Sequence, residues 1–228
     1  MSEFNIDEEF NIDEEFDSEY VGPNPLVVKL QQAFRTEVHA PTILPYEGEL
    51  VEKIKKDLDE LTNQYENFDD TMDDSGNTEM ERVSMRFWRT LCLMDLERIR
   101  YSLTRYLRCR LKKIENSVEF FIKNVDARDR LSPQEETLLQ KLNEIKNNHF
   151  KTVVFDKLTV PDHSFPNYRL ENATPNEKEY VFARALKDVT GFIEEGNDVQ
   201  IGMIIICQYS KVKEYVEKTI DDRSFELI

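Results

Sequence analysis

The chain has 228 residues, with 46 acidic against 30 basic side chains, a net charge of −16 and only six glycines. That length gives enough core for one large or two modest domains, and a charge-rich, glycine-poor composition favours a helix-rich protein over a sandwich or barrel. The longest apolar run, Ile201–Cys207, is about a third of a membrane span, so no membrane contact is expected, and the acidic N-terminus lacks the basic region of a secretory leader.

Residues 1–20 hold nine acids and no base, and open on a tandem repeat: FNIDEE at Phe4–Glu9, again at Phe10–Glu15, then a partial copy from Phe16. Six residues is too short a period for a solenoid unit, and like charge at this density opposes a packed core. Residues 1–21 are therefore expected to be a disordered acidic tail. Two uses fit it. One is a solubilising tail; the other is a peptide that folds on a partner, with Phe4, Ile6, Phe10, Ile12 and Phe16 as anchors and acids as steering groups.

After Gly22-Pro23-Asn24-Pro25 comes a short helix with Val27, Leu30, Phe34 and Val38 on one face, ended by Pro41 and Pro45. A second begins near Gly48 and carries Val51, Ile54, Leu58, Leu61, Tyr65 and Phe68. An acidic loop, Asp69–Asn77, leads to Thr78 and Glu81, a capping box that starts a long helix. Uninterrupted to Asn124, that helix would span roughly 70 Å at 1.5 Å per residue. Its apolar stripe runs through Trp88, Cys92, Leu96, Ile99, Leu103, Leu107, Leu111, Ile114, Val118, Phe121 and Val125, in steps averaging about 3.7 residues, the period of a straight α-helix. A stripe so long needs several partners, not all of them in this chain, so Trp88 through Phe121 make a candidate subunit-interface seam. Ser132-Pro133-Gln134-Glu135 is a further start signal, opening a helix that turns Leu138, Leu142 and Ile145 inward.

Residues 22–158 thus form a helical domain, and the proline-bearing stretch 159–176, with Pro161, Pro166 and Pro175, reads as a linker. Residues 177–228 change character. Tyr180–Leu186, Gly191–Ile193 and Val199–Cys207 are strand-like, a short helix covers Ser210–Thr219, and Phe225–Ile228 makes a last strand. The expected fold is mainly α (α+β): an N-terminal helical bundle with one very long helix, then a small β-rich module that is marginal alone and needs something to dock on.

No catalytic, cofactor or metal residue is expected. The six glycines make neither G-x-x-x-x-G-K nor G-x-G-x-x-G. His39, His149 and His163 stand apart, and Cys92, Cys109 and Cys207 include no C-x-x-C pair, so buried free thiols in a reducing compartment are expected. Only Cys109, between Arg108 and Arg110, has a setting that could activate it.

The basic face is the open question. Residues 82–115 carry ten bases against three acids, with Arg98, Arg105, Arg108 and Lys112 in helical register, Arg89, Arg100, Arg110 and Lys113 nearby, and Tyr101 and Tyr106 interleaved. These residues can pair with acids inside the bundle, meet acidic patches on another subunit, or track phosphates with the tyrosines stacking on bases.

The string ERIRYSLTRYLRCRLKKIE, Glu97–Glu115, resembles the signature helix of the SLD-five subunits of the GINS complex, whose pattern reads roughly E-R-I-(R/K)-Y/F-x-L-x-x-Y-L-R-C-R-L-x-K-I-E. The resemblance implies a helical A domain, a small β-rich B domain and a final apolar strand. It implies a non-catalytic structural subunit of a nuclear heterotetramer, an accessory of the eukaryotic replicative helicase. Its partners would be the three other GINS subunits and, through the assembled complex, the ring-shaped minichromosome-maintenance (MCM) ATPase and the cell-division-cycle forty-five protein; DNA contact would be indirect or weak. Asn5-Ile6-Asp7 and Asn11-Ile12-Asp13 resemble a family segment that docks on a trimeric replisome hub, although Phe10 and Phe16 stand where that segment has leucines. Two other functions remain open: a nucleic-acid-binding module using the Arg-rich helix, and a helical adaptor displaying an acidic peptide tail.

Overall fold

The computed structural model describes residues 24–66, 79–153, 155–157, 174–192 and 198–228. The acidic tail with its FNIDEE repeats, Phe68, the Asp69–Asn77 loop, the cap at Thr78 and most of the 159–176 linker lie outside the described residues.

Helix α1 (Pro25–His39) starts where the Asn24 side chain accepts the Leu26 N–H at 2.9 Å, with Pro25 at the first helical position, where a missing N–H costs nothing. It ends because Ala40 precedes Pro41 and takes an extended conformation, φ −75° and ψ 128°. Its inner face is Leu30, Ala33, Thr36 and Glu37, whereas Val38, expected on that face, points outward. Helix α2 (Gly48–Glu66) adds Leu50, Val51, Ile54 and Leu58. Both pack on helix α3 (Glu79–Asn116) through Leu96, Leu103 and Tyr106.

Helix α3 does not run on to Asn124. Ser117 leaves helical geometry, with φ −127° and ψ 35°, and a separate helix α4 covers Val118–Lys123. Asn and Ser side chains compete for backbone hydrogen bonds, which makes Asn116-Ser117 a poor helix interior. The bend turns Val118 and Phe121 onto a second core, shared with Ile43, Ile114, Ala127 of the short α5 (Val125–Arg128) and Leu139 of α6 (Pro133–Val153). The expected capping box opens α6: the Ser132 hydroxyl accepts the Glu135 N–H at 3.2 Å, and the Glu135 carboxylate accepts the Ser132 N–H at 2.8 Å. Leu139, rather than Leu138, is fully buried there, and Ile145 is exposed. A 3-10 turn, Phe155–Lys157, follows.

The C-terminal module is an antiparallel sheet of order β2-β1-β3, with β1 Tyr180–Ala185, β2 Ile204–Gln208 and β3 Phe225–Leu227. Of the expected strand Gly191–Ile193 only Gly191 and Phe192 are described, and neither is in a strand; a single bridge, Val189 to Val199, extends the pairing among the described residues, and Phe192 packs on Tyr215 and Phe225. Gly202, at φ 84°, supplies the left-handed turn into β2 that a side chain would oppose. Helix α7 (Tyr209–Val216) covers one sheet face with Tyr209, Val212 and Val216.

The module docks on the helical body. Ala40 and Leu44 enter its core, and Thr42 and Tyr209 share a buried hydroxyl hydrogen bond of 2.7 Å. Arg130 grips the Glu217 carboxylate at 2.5 and 2.9 Å, and Arg223 meets Glu47 at 2.9 Å. Helix α1 covers the β3 end, where Arg35 pairs with Glu226 at 3.1 Å.

Candidate subunit interface

Around its axis α3 divides into a buried lane and open surface. The buried lane is Leu96, Ile99, Leu103, Tyr106, Arg110 and Ile114, in steps of three and four residues that keep facing α1, α2 and α6. Among the seam residues, Leu96 and Leu103 are therefore covered by α1 and α2, and Ile114, Val118 and Phe121 by the second core. Ile99 and Leu107 are half-buried. Trp88 is 60% exposed and Leu111 38%. The expected track reaches only the edge of the core at Leu107 and leaves it at Leu111, because Tyr106 and Arg110 occupy the inward positions.

Tyr106 and Arg110, candidates for a polar interface or DNA contact, are interior, and Arg110 follows the first of the three open readings, pairing with acids inside the bundle. Arg110 is 0% exposed and uses all five N–H donors: Nε and Nη2 donate to Glu135 at 2.8 and 2.9 Å, Nη1 to Glu37 at 3.3 Å and the Leu44 carbonyl at 2.7 Å, Nη2 also to the Arg130 carbonyl at 2.9 Å. Its guanidinium lies 5.3 Å from the Tyr46 ring centre and 5.8 Å from that of Tyr106. Lys113 completes the cluster by donating to Glu37 Oε1 at 2.7 Å and the Thr42 carbonyl at 3.0 Å. Burial opposes the Arg110 charge, but the Glu135 hydrogen bonds and the Glu37 charge outweigh it and hold the group above its ordinary pKa. Burial pushes the Tyr106 phenol up as well. The cluster ties α1, the 40–47 connector, α3 and α6 into one body.

Of the other basic-face residues, Arg89 and Arg100 are half-buried against α2, Arg89 Nε donating to the Tyr65 carbonyl at 2.6 Å and Arg100 Nη2 to the Thr62 hydroxyl at 3.2 Å, while Arg98, Arg105, Arg108 and Lys112 are exposed. Arg98 pairs with Asp95 at 3.1 Å on its own helix, and Arg105 stacks over the exposed Tyr101 ring at 5.6 Å. Arg108 also faces water. The first half of α3 leaves Met80, Val83, Phe87, Trp88 and Met94 open. A second apolar surface lies on the sheet: register pairs Phe182 with Ile206 and Tyr180 with Gln208, and Tyr180, Phe182, Ile204 and Ile206 are all exposed. The hub-binding candidates Phe4, Ile6, Phe10, Ile12 and Phe16 lie outside the described residues.

The family model for the GINS complex protein helical bundle domain matches residues 58–154, which include the buried lane. The "DNA replication complex GINS protein SLD5" of Mus musculus is 30% identical over 208 residues, covering 85% of this chain and 86% of that protein. The chain belongs to the SLD5 family. The Arabidopsis thaliana protein of the same description is 28% identical over 200 residues, covering 82% of this chain and 86% of its own length. That of Yarrowia lipolytica is 29% identical over 198 residues, covering 84% and 73%.

In this SLD5-family chain the signature string therefore supplies both core and surface: Tyr106 and Arg110 inward, Arg105 and Arg108 outward. Sequence reasoning missed Glu37, the acid that meets both the buried Arg110 and the half-buried Lys113; a lone acid on the inner face of α1 was its one signal. It also left the open sheet face unidentified, although consecutive apolar residues in Ile204–Cys207 signal two apolar faces. The Cys109 Sγ–H points to the Glu37 carbonyl at 3.8 Å, and burial pushes its thiol, like that of Cys207, above the ordinary range. Among the described residues no group of three or more His, Cys, Asp or Glu could hold a metal, and no helix is long and apolar enough to cross a membrane.

Proposed function

We infer that this chain is a non-catalytic structural subunit of a GINS complex, the assembly named in the descriptions of its relatives. One observation carries this: the chain leaves two apolar surfaces in water, Met80, Val83, Phe87, Trp88 and Met94 on α3, and Tyr180, Phe182, Ile204 and Ile206 on the sheet. Apolar area removed from water contributes about 25 cal/mol per Å², and obligate interfaces bury about 2,000 Å² or more. Sister subunits would recover that free energy. Trp88, Leu111, Tyr101, Arg98, Arg105 and Arg108 are then the members of the expected seam and basic face still open to a partner.

By the family resemblance, the assembled complex would join the MCM ring and the cell-division-cycle forty-five protein in the nucleus, during initiation and elongation of DNA replication. The acidic tail, residues 1–21, would meet a trimeric hub, with 22–158 and 177–228 as A and B domains about a linker at 159–176. The test is expression with and without the three other GINS subunits. Alone, the chain aggregates; together, the four elute as one species of constant stoichiometry. A stable monomer that ignores the other three subunits overturns the assignment.

A further inference from the structure

Strand β2 lies at the outer edge of the sheet, and among the described residues no strand pairs with its free side. On its inner side the Ala185 N–H donates to the Met203 carbonyl at 2.9 Å, and the Tyr209 N–H to the Glu179 carbonyl at 2.8 Å. Bonding in an antiparallel pair alternates along the strand, so the N–H and C=O of Ile204 and Ile206 turn away from β1, toward the open edge. Their side chains stand on the open face, 54% and 64% exposed. Ile204–Gln208 contains no proline and no lysine, the residues that commonly blunt a free edge. Such an edge is a template for one more strand.

The chain itself carries a segment of matching pattern. Phe4, Ile6, Phe10, Ile12 and Phe16 all fall on even positions, and every odd position from Asn5 to Glu19 is Asn, Asp or Glu. Successive side chains of a strand alternate between its two faces, so the six-residue repeat places every ring on one face. On a helix the same spacing turns each ring about 240° from the last and scatters them.

We propose that one FNIDEE copy of this chain's own N-terminal segment pairs with β2 as a fourth strand, giving the order tail-β2-β1-β3. Its Phe and Ile stand beside Ile206 and Ile204 and widen the open apolar face. Its acids fall on the opposite face, where Ile205 and Cys207 pack toward the core and the exposed Lys211 places its charge near the Cys207 thiol. The reach is sufficient. Helix α1 meets β3 through Arg35, about 15 Å along the axis from Pro25, and β2 lies two strand spacings, about 10 Å, beyond β3. Residues 13–23 stretch to about 36 Å, which brings the second copy to β2, and the first copy has six residues more. Because β2 has only five residues, it takes one copy and leaves the other for an outside partner.

The test follows amide hydrogen exchange at single-residue resolution in the co-expressed complex, for the full chain and for a variant lacking residues 1–20. In the full chain the Ile204 and Ile206 amides should be protected, and the truncation should speed their exchange about tenfold or more, with circular dichroism and co-elution unchanged. The variant Phe4→Asn/Asn5→Phe/Phe10→Asn/Asn11→Phe keeps the composition but puts those rings and the isoleucines on opposite faces, and should behave like the truncation. Protection that survives truncation belongs to another subunit's strand and overturns the proposal. Fast exchange at both amides in the full chain overturns it as well, as does protection retained in the exchanged-position variant. Protection that falls on dilution of the intact complex comes from a second molecule's tail, and also overturns it.

Discussion

Arg110 and Glu135 face each other between α3 and α6 through two nearly parallel hydrogen bonds of 2.8 and 2.9 Å, with both side chains shut off from water. The same Glu135 carboxylate caps its own helix by accepting the Ser132 N–H, so one acid both starts α6 and fixes it to α3. Arg110→Ala would leave Glu135 and Glu37 with a large part of their buried charge unanswered. Removing one partner of a buried ion pair costs about 3–5 kcal/mol. Arg110→Lys keeps the charge but loses the fork, and should cost less. Chemical denaturation of the two variants within the co-expressed complex measures the difference, and equal losses would show that charge alone matters there.

Leu103 and Leu111 separate the buried lane from the track expected on average helical period. Leu103 is 6% exposed, among Leu30, Ile54 and Leu96, whereas Leu111 is 38% exposed. Leu103→Asp should cost about 4–7 kcal/mol, that of holding a carboxylate three to five pK units from its ordinary value, and abolish soluble expression. Leu111→Asp should change folding stability by about 0.5 kcal/mol or less. Comparable damage from both, read by soluble yield and thermal melting, would place the core on the wrong side of α3.

Features held by neighbours in sequence were legible. The Ser132–Glu135 box, the Asn24-Pro25 start and the strand from Tyr180 each depend on residues a few positions apart, and each is present within a residue or two. Pairing inside the bundle was one of three readings of the basic face, but Arg110 could not be singled out for it, because its burial requires Glu37, 73 positions away, and Glu135, 25 positions away. The same substitution of a polar pair into the core shifted the expected seam, since Tyr106 and Arg110 occupy places that hydrophobic periodicity assigns to Leu107 and Leu111. The bend at Ser117 was invisible because Val118 and Phe121 continue the apolar spacing across it.

The thiols give a pH-dependent check. Burial pushes Cys109 above the ordinary 9.0, outweighing the pull of the Lys113 charge, and burial does the same to Cys207. A smaller thiolate fraction at pH 8 means slower alkylation than for an exposed cysteine. For linkage, the folded state holds these protons more tightly, so the contribution to stability is fully present below pH 9 and is lost as pH rises through the higher folded values. Peptide-resolved iodoacetamide labelling should therefore show both rates still climbing above pH 9. A plateau reached by pH 8 would mean an activated thiol instead.

The sheet face is testable without disturbing the core beneath it. Phe182 and Ile206 are cross-strand partners in register, both exposed, while Val181, Ala183 and Ala185 on the same strand face α7 and the buried side. Exchanging the outer pair for opposite charges, Phe182→Glu with Ile206→Lys, replaces an apolar contact with an ion pair at the same positions, and such pairs support a sheet by about 0.2–1 kcal/mol. The module should keep its fold and its docking through Thr42–Tyr209 and Arg130–Glu217. Any apolar partner, however, would have to desolvate two charges to sit there, which favours release by about tenfold or more. Size-exclusion chromatography of the co-expressed complex should show a subunit lost, or the whole assembly weakened, with circular dichroism unchanged. An assembly as stable as wild type would mean that this face stays open to water in the complex, leaving α3 as the surface through which the chain is held.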